Sequence, residues 1–502
     1  MITNRRVALV CAICLGTFMA SLDISIVNVA LPTMLTSLNT DMPGIQWVVD
    51  AYALCLSALI LSSGPLGDRF GRKRVWMAGI VLFTLGSLLC ASATSLEMLL
   101  TGRVLQGVAG AAVIPGALSL LSHAFPDELQ RVRVIGIWST VSALSLVIGP
   151  ILGGILVHNA GWQSIFLINL PVGVVTLLLG GWGIQESAHP DHASLDPLGQ
   201  LFSVLWLGTL TYGLIAAGDL GWQDSDVQFS LFISLLFLAL FIWVERRVTR
   251  PLLPLYLFKK SDFTVYNLSS AVMGFSSYSS VFFVSLFLQQ AQGWSALQTG
   301  WRMAPEFIAM ALVSTQFGRL SARFSVKTLI VVGYALIGAG LLLLGTLQSS
   351  SAYPFIALFL IILGTGTGLA MPATSALVMR TVVSERSGMA SATMNAVRQT
   401  GMALGIALLG TLMNMHAIEV LRAQLATQHV SEADSLAHAV IMGHQGISGW
   451  VEQVQHAFAS GFSLAMTGAG VVSVVMAGGL ILMHRAHQRV VIGSVASAET
   501  QE

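Results

Sequence analysis

The sequence contains very few charged residues. Aspartate, glutamate, lysine and arginine make up 9% of its 502 residues, whereas they make up about 25% of an average soluble domain. Hydrophobic residues make up 55%, and the mean hydropathy is +0.79. A soluble protein of this length could not cover its surface with so few charges. The composition therefore excludes that class and indicates a multi-pass membrane protein, whose solvent is mostly lipid.

The sequence also has few cysteines, almost no net charge and no recognisable catalytic motif. The four cysteines all lie in apolar stretches, which gives no basis for a disulfide framework. The net charge of +1 argues against a nucleic-acid partner. There is no nucleotide-binding loop of the form G-x-x-x-x-G-K-S/T, no catalytic triad and no zinc-ligand spacing. We therefore expect neither an enzyme nor direct use of ATP, and no metal or cofactor.

Apolar stretches of about 20 residues recur along the whole chain, the length that a membrane helix needs. They are continuously apolar rather than alternating, which excludes a transmembrane β-barrel. We predict an all-α integral membrane protein with fourteen spans. They lie near residues 7–35, 45–65, 74–94, 97–122, 134–157, 164–184, 197–217, 227–245, 263–290, 296–318, 326–347, 353–379, 388–414 and 460–483.

Lysine and arginine are distributed unevenly between the two sides of these spans. Because the number of spans is even, both ends of the chain lie on one side. Of the 24 lysines and arginines, only Arg422 falls in the opposite set of loops, and Arg103, Arg302 and Arg398 lie in or at the ends of spans. All the others lie on the side of the termini. The positive-inside rule therefore predicts that both termini lie in the cytoplasm, and we expect the cell's inner membrane as the location.

Two pairs of segments indicate an internal repeat. "GPLGDRFGRK" (64–73) matches "GRLSARFSVK" (318–327) at five of ten positions, and "GVAGAAVIPGALSL" (107–120) aligns with "GTGTGLAMPATSAL" (364–377) on Pro115 and Pro372. The repeat advances by eight spans, so each half has six and two helices are inserted between them. We expect a six-helix bundle over 1–190, two inserted helices over 191–250, and a second bundle over 251–502 that includes an outer loop at about 415–459.

These motifs together resemble the major facilitator superfamily, in particular its fourteen-helix drug:proton antiporter branch, which includes quaternary-ammonium exporters. The basic loop at 64–73 is similar to the family signature after the second helix. Four more segments resemble motifs of the branch at the matching spans. They are "LDISIVNVALP" (22–32), "LTGRVLQGVAGA" (100–111), "GPILGG" (149–154) and "RQTGMALGIALLG" (398–410).

The loop at 64–73 has two interpretations. Gly67 and Gly71 permit a tight reversal between two helices, and Asp68 can pair with arginines or with a helix N-terminus. The resemblance implies a latch on the cytoplasmic gate, whereas basic residues alone would only fix the orientation of the chain. The residues assigned to the gating motif are Gly64, Gly67, Asp68, Arg69, Gly71, Arg72 and Lys73.

The segment Gly149, Pro150, Gly153 and Gly154 is the candidate antiporter motif. Small residues four apart let helix backbones approach closely, and Pro150 interrupts the hydrogen-bond ladder. The resemblance implies a seal between the two halves of an exporter. Ordinary packing of glycine-rich helices is the alternative.

Six charged residues lie within or at the ends of the predicted spans: Asp23, Asp50, Glu306, Arg103, Arg302 and Arg398. A charge at membrane depth must face a cavity, be paired, or change its protonation. We assign Asp23, Asp50, Glu306, Arg103 and Arg302 to the proton-coupling and substrate-binding site. Two neutralising pairs remain possible at this stage. Asp50 could pair with Arg103, and Arg302 could pair with Glu306, which lies four residues later on the same helix face.

We therefore expect a proton-coupled exporter of lipophilic, cationic drugs or antiseptics that works by alternating access. It would be a monomer surrounded by lipid, with protons as the coupling ion. A second interpretation keeps the fold but exports an endogenous metabolite or an anionic compound, which an Arg302 facing the cavity would favour. A third is a membrane sensor or scaffold that does not transport.

Overall fold

The computed structural model describes residues 4–188, 196–248, 251, 253, 255–382, 387–428, 430, 432–442 and 449–499. Within these residues the regular structure is entirely helical. The α-helices are α1 Asn4–Ser37, α2 Met42–Phe70, α3 Arg72–Ala91, α4 Leu96–Ala124, α5 Glu128–Ala160, α6 Ser164–Leu167, α7 Asn169–Gly183, α8 Pro197–Leu220, α9 Ser225–Glu245, α10 Ser261–Met273, α11 Ser279–Leu286, α12 Ala296–Arg323, α13 Val326–Leu344, α14 Tyr353–Arg380, α15 Ser387–Thr427, α16 Ala433–Met442 and α17 Val451–Glu499. Two π-helical segments, Gly274–Tyr278 and Phe287–Ala291, continue α10 and α11 into one span, and a short 3₁₀ helix covers Leu257–Lys259.

Several of these helices are preceded by a polar residue whose side chain caps the first turn. The Asp41 carboxylate accepts a hydrogen bond from the amide of Gly44 at 2.7 Å, and Ser95 accepts one from the amide of Met98 at 3.3 Å. Ser295 and Gln298 form a reciprocal capping box at the start of α12. These side chains satisfy amide groups that the first turn of a helix leaves without partners.

Twelve helices in the described part of the chain are long and apolar enough to cross a membrane. This confirms the predicted class, an all-α membrane protein. The other two predicted spans correspond to α5 and α12, which are 33 and 28 residues long. The helix α12 carries Arg302, Glu306, Arg319 and Arg323, which lowers its hydropathy, and only part of α5 is described at side-chain level. The count of fourteen remains a prediction.

The predicted outer loop at 415–459 is partly wrong. Its first residues continue α15 as far as Thr427, α16 lies within it, and α17 begins already at Val451. Ala417, Leu421 and Leu425 are buried, and their spacing of four places them on one helix face. This helical period, with more polar residues between, extends α15 beyond the continuous apolar run.

The helices pack as two groups with a helical pair beside them. In the first group α1 packs on α5 and α7, and α4 packs on α2 and α3. In the second group α14 packs on α12 and α13, and α17 packs on α13 and α15. The pair α8 and α9 lies against α2 and α15, and the two groups meet where α12 packs on α5 and α15 packs on α2. The domain boundaries expected from the sequence stay a prediction.

Consecutive spans run antiparallel, so their connections alternate between two sides of the molecule. We call the side that carries Asn4 and the connections after α2, α4, α7, α9, α12 and α14 the terminal side. The opposite side, with the connections after α1, α3, α5, α8, the span that ends at Ala291, α13 and α15, is the far side.

Candidate functional site

A buried ion pair joins α1 to α4. The side chains of Asp23 and Arg103 are 0% and 1% exposed and form a salt bridge. Arg103 Nε also donates to the carbonyl oxygen of Val48 at 2.8 Å, and its guanidinium lies 4.7 Å from the centroid of the Tyr52 ring. The guanidinium is therefore paired, hydrogen-bonded and stacked, as a charge in a low-dielectric interior requires.

Gln106 extends this ion pair into a network. Its Nε2 donates to Asp23 Oδ1 at 3.2 Å and to Ser87 Oγ at 2.9 Å, and its Oε1 accepts from Arg103 Nη1 at 2.8 Å. Asn169 Nδ2 also donates to Ser87 Oγ, at 3.1 Å. The network thus ties together α1, α2, α3, α4 and α7. Gln106 lies within the motif-like segment at 100–111, although the motif gave it no role, whereas Ser87 and Asn169 lie in none of the quoted motifs.

The alternative pairing of Asp50 with Arg103 is not what the structure contains. Arg103 is occupied by Asp23, and Asp50 is fully buried with no hydrogen-bond partner for either carboxylate oxygen among the described residues. An ionised carboxylate in such surroundings costs several kcal/mol. A group placed in this way must be neutralised by a proton or a bound cation, or must reach water. The neighbour of Asp50, Val49, lines the cavity described next.

A cavity lies between the two helix groups. Its lining is largely apolar, with a few polar groups and one carboxylate. The lining residues are Ile24, Ser25, Asn28, Val49, Ser277, Tyr278, Val281, Glu306, Phe307, Met310, Thr367, Met402 and Ile406. The cavity volume is about 40 Å³, whereas pockets that hold drug-sized ligands usually measure about 300–1,000 Å³. A drug-sized ligand can therefore enter only if the two groups move apart.

Glu306 is the one carboxylate in this lining. It is 4% exposed, and no described residue hydrogen-bonds its Oε2. The possible pair with Arg302 is absent, because the Arg302 guanidinium lies 3.6 Å from the centroid of the Trp294 ring and 5.3 Å from that of Tyr353. Arg302 is thus held by aromatic rings toward the far side, and it does not line the cavity.

Hydrogen bonds between the two groups close the far side of the cavity. Pro32 has no amide hydrogen, so the carbonyl of Asn28 lacks its donor within α1. Ser285 Oγ donates to that carbonyl at 2.7 Å, and Gln289 Nε2 donates to the next one, that of Val29, at 3.1 Å. The proline therefore creates an acceptor on α1 that a residue of the second helix group satisfies.

A second carbonyl that a proline leaves without its donor also accepts a hydrogen bond from a serine, in this case within one helix group. Pro372 leaves the carbonyl of Gly368 without its donor in α14, and Ser314 Oγ of α12 donates to it at 3.1 Å. Both contacts pair a serine with a carbonyl that a proline has released. The first joins the two helix groups and the second stays inside one of them.

The candidate antiporter motif lies at the contact between α5 and α12. A Cβ atom on Gly154 would be 2.7 Å from the carbonyl oxygen of Ala296, and one on Gly300 would collide with the carbonyl of Pro150. Gly149 and Gly153 approach α1 equally closely, at Ser25 and Ile26. The glycines thus allow backbone contact between the two groups toward the far side. Their role in export remains a prediction.

The candidate gating motif ends in a turn that a glutamate from another connection stabilises. Gly71 has a φ of +104°, which favours glycine. The Glu186 carboxylate accepts hydrogen bonds from the amides of Lys73 and Arg74 at 3.0 and 3.2 Å. It therefore lies at the positive N-terminus of α3, and Arg72 N donates to the Ser187 carbonyl at 2.9 Å. The surroundings of Gly64 and the side chain of Asp68 are not among the features that the structure describes.

The sequence analysis did not identify Glu186, because this residue lies in none of the motifs. Acidic residues are common just after a span. The one available signal was its negative charge on the terminal side, where basic residues predominate. Lys73 Nζ additionally donates to the Gly181 carbonyl at 2.8 Å, so the turn after α2 is anchored on the end of α7.

Comparison with known proteins agrees with this architecture. The sequence profile of the Major Facilitator Superfamily matches residues 13–406, and the chain belongs to that family of multi-pass membrane transporters. A solved bacterial homologue of the human lysosomal transporter Spinster has a TM-score of 0.68 at 18% identity, covering 96% of this chain and 98% of that one. The predicted family and fold are thereby confirmed.

The more similar relatives carry names of resistance and efflux proteins. The methylenomycin A resistance protein of Bacillus subtilis is 32% identical over 441 residues, 88% of this chain and 94% of that protein. Multidrug resistance protein Stp of Mycobacterium tuberculosis is 36% identical over 80% of this chain and 74% of its own length. The drug efflux pump JefA of the same species is 30% identical over 96% of this chain and 98% of its own.

We predict that Arg103→Met destabilises the protein strongly. The change leaves Asp23 buried without its cation, at a cost of about 3–5 kcal/mol. Thermal unfolding of the purified protein in detergent, followed by tryptophan fluorescence, should show a clearly lower midpoint. The double variant Asp23→Asn/Arg103→Met should recover part of the loss. Glu306→Gln is the matched control and should keep the midpoint, since Glu306 has no cationic partner. An unchanged midpoint for Arg103→Met would contradict the assignment.

We also predict different effects for Ser285→Ala and Ser314→Ala. Loss of the Ser285 bond removes about 1 kcal/mol from the closed far side, which corresponds to an increase of roughly fivefold in the open population. Loss of the Ser314 bond affects both states alike. Nitroxide labels at Asn159 and Ser350, on the far-side ends of the two groups, report the change as a longer distance by pulsed electron resonance. Identical distance distributions for the two variants would show that Ser285 does not hold the far side closed.

Proposed function

We propose that this protein is a proton-coupled exporter of lipophilic cations, located in the inner membrane with both termini in the cytoplasm. The observation that carries the proposal is the position of Glu306. Its carboxylate faces an apolar cavity between the two helix groups and has no cationic partner among the described residues. Such a group must be neutralised either by a proton or by a bound cation.

The walls around Glu306 suit a large apolar cation. Phe307 offers an aromatic ring, which attracts cations through its quadrupole, and the ring of Tyr278 already has the Arg398 guanidinium 5.5 Å from its centroid. Met310 and Met402 have flexible, polarisable side chains that adapt to ligands of different shape. Because one carboxylate binds either the proton or the cation, entry of one releases the other. Exposure of the same group to the two sides in turn then couples proton entry to cation exit.

Asp50 is our second exchanging group. Neither of its oxygens has a hydrogen-bond partner within the described part of the chain, and it lies next to the cavity-lining Val49. It therefore carries a proton in this closed state and could release it when water enters. Asp23 differs, because Arg103 and Gln106 hold its two oxygens. We assign Asp23 to the framework of the first helix group. A membrane potential of 100 mV supplies about 2.3 kcal/mol for each charge moved.

Two observations favour cations over the anionic cargo of the second interpretation. Arg302 is stacked on Trp294 and does not line the cavity, and the only charged residue in the lining is an acid. Relatives that carry the names of methylenomycin, tetracenomycin and multidrug resistance proteins support a drug as cargo. A sensor or scaffold would have no need of an unpaired carboxylate in such a cavity.

Efflux of ethidium, a lipophilic cation, from cells that express the protein tests the proposal. We expect energised efflux by the wild type and its collapse when an uncoupler dissipates the proton gradient. Glu306→Gln and Asp50→Asn should each lower the rate by about tenfold or more, because neither amide can release a proton. Glu306→Asp should retain part of the activity.

Glu419→Gln removes an exposed carboxylate from α15 and is the matched control, with an expected rate equal to wild type. Protein abundance in the membrane is measured for each variant. Efflux that persists with an uncoupler, or full activity of Glu306→Gln, would contradict the proposal. Export of an anionic dye in place of ethidium would favour the second interpretation.

A further inference from the structure

A second, polar cavity opens on the terminal side, away from the central cavity. It lies where the 3₁₀ helix Leu257–Lys259 and the first turns of α10 and α13 approach the end of α14. Its volume is about 530 Å³. Neither the motifs in the sequence nor the proposed function assigns a role to it.

Four cationic side chains line this cavity: Lys259, Lys260, Lys327 and Arg380. They come from three separate places in the chain, and among the described lining residues Asp262 is the only acid beside them. Among the described residues, none of the four cations forms a salt bridge. Lys260 Nζ donates to the carbonyl of Thr381 at 3.3 Å, which leaves its charge in place. The positive-inside rule explains basic residues on this side, but it does not explain their convergence on one concave surface.

Two helix N-termini add to the positive potential. The helix α10 begins at Ser261 and α13 begins at Val326, each next to a lysine of the cavity. Among the described residues no side chain caps the first turn of α10, whereas Ser325 Oγ caps α13 by accepting from the amide of Thr328 at 3.1 Å. Helix N-termini with free amides are suited to bind phosphate and other anions. The cations and the amides therefore favour the same kind of ligand.

The surroundings of the cavity are apolar enough to hold the rest of a lipid. Leu377 and Tyr266 are buried in its wall. Phe324, three residues before Lys327, is 53% exposed, and aromatic residues at this depth commonly lie at the boundary between headgroups and acyl chains. Basic pockets between membrane helices on the cytoplasmic side bind anionic headgroups.

We propose that this cavity binds the phosphate headgroup of an anionic phospholipid. The phosphate lies among Lys259, Lys327 and Arg380, near the first amides of α10, and the acyl chains follow the outer faces of α10 and α13. This site is independent of the proposed transport function. The same phosphate chemistry could come from a soluble anion, and the test below separates the two sources.

Native mass spectrometry of the purified full-length protein measures the site directly. The protein is titrated with dioleoyl phosphatidylglycerol, and in parallel with dioleoyl phosphatidylcholine, whose headgroup has no net charge. We expect the anionic lipid to bind more tightly. The double variant Lys259→Gln/Lys327→Gln should weaken the tightest binding step by roughly tenfold or more, since each cation near a lipid surface contributes to binding.

The control variant is Arg319→Gln/Arg323→Gln. It removes two exposed cations from the terminal-side end of α12, which lie outside the cavity. Its lipid affinity should equal that of the wild type. Equal losses in both variants, or no preference for the anionic lipid, would overturn the proposal. Inorganic phosphate that displaces the lipid at similar concentration would identify a soluble-anion site, which also overturns the lipid assignment.

Discussion

The buried ion pair between Asp23 and Arg103 is the interaction on which the first helix group depends. Removing each ion from water costs several kcal/mol, so the pair is stable only with its hydrogen bonds complete. Gln106 and Val48 complete the hydrogen bonds of the pair, the Tyr52 ring stacks on the guanidinium, and Ser87 with Asn169 extends the network to α7. Because a partial network would leave a buried charge unsatisfied, these helices are expected to move as one rigid body.

This pairing determines which carboxylates remain for exchange. Asp23 is fixed by Arg103, whereas Asp50 and Glu306 have carboxylate oxygens with no hydrogen-bond partner among the residues that the structure describes. One lies in each helix group, and both are at or next to the central cavity. The glycine contacts of α5 with α12 and the Ser285 bond to α1 close the far side of that cavity. A rigid framework, two acids without partners among the described residues and a closure that depends on a few hydrogen bonds are the features on which the proposed exchange rests.

Hydropathy and motif spacing predicted the helices and the family, because both are local properties of the chain. They did not predict the partner of Arg103, since Asp23 and Asp50 lie on different helices and the rotation of each helix depends on tertiary packing. The same holds for Glu186, which reaches the start of α3 from 112 residues further along the chain, and for Ser285, whose role follows from Pro32 on another helix. The continuation of α15 into the predicted outer loop was also missed. Its apolar residues recur with a helical period but do not form a continuous apolar run.

The central claim is that a cationic ligand replaces a proton on Glu306. Proton release tests it most directly, without any transport. Ethidium is added to the purified protein in weakly buffered detergent solution, and a soluble pH indicator reports the protons released per molecule of bound ligand. The account predicts release by the wild type and its loss in Glu306→Gln, whereas Glu419→Gln behaves as the wild type. Cation binding with no proton release, or undiminished release from Glu306→Gln, would contradict it.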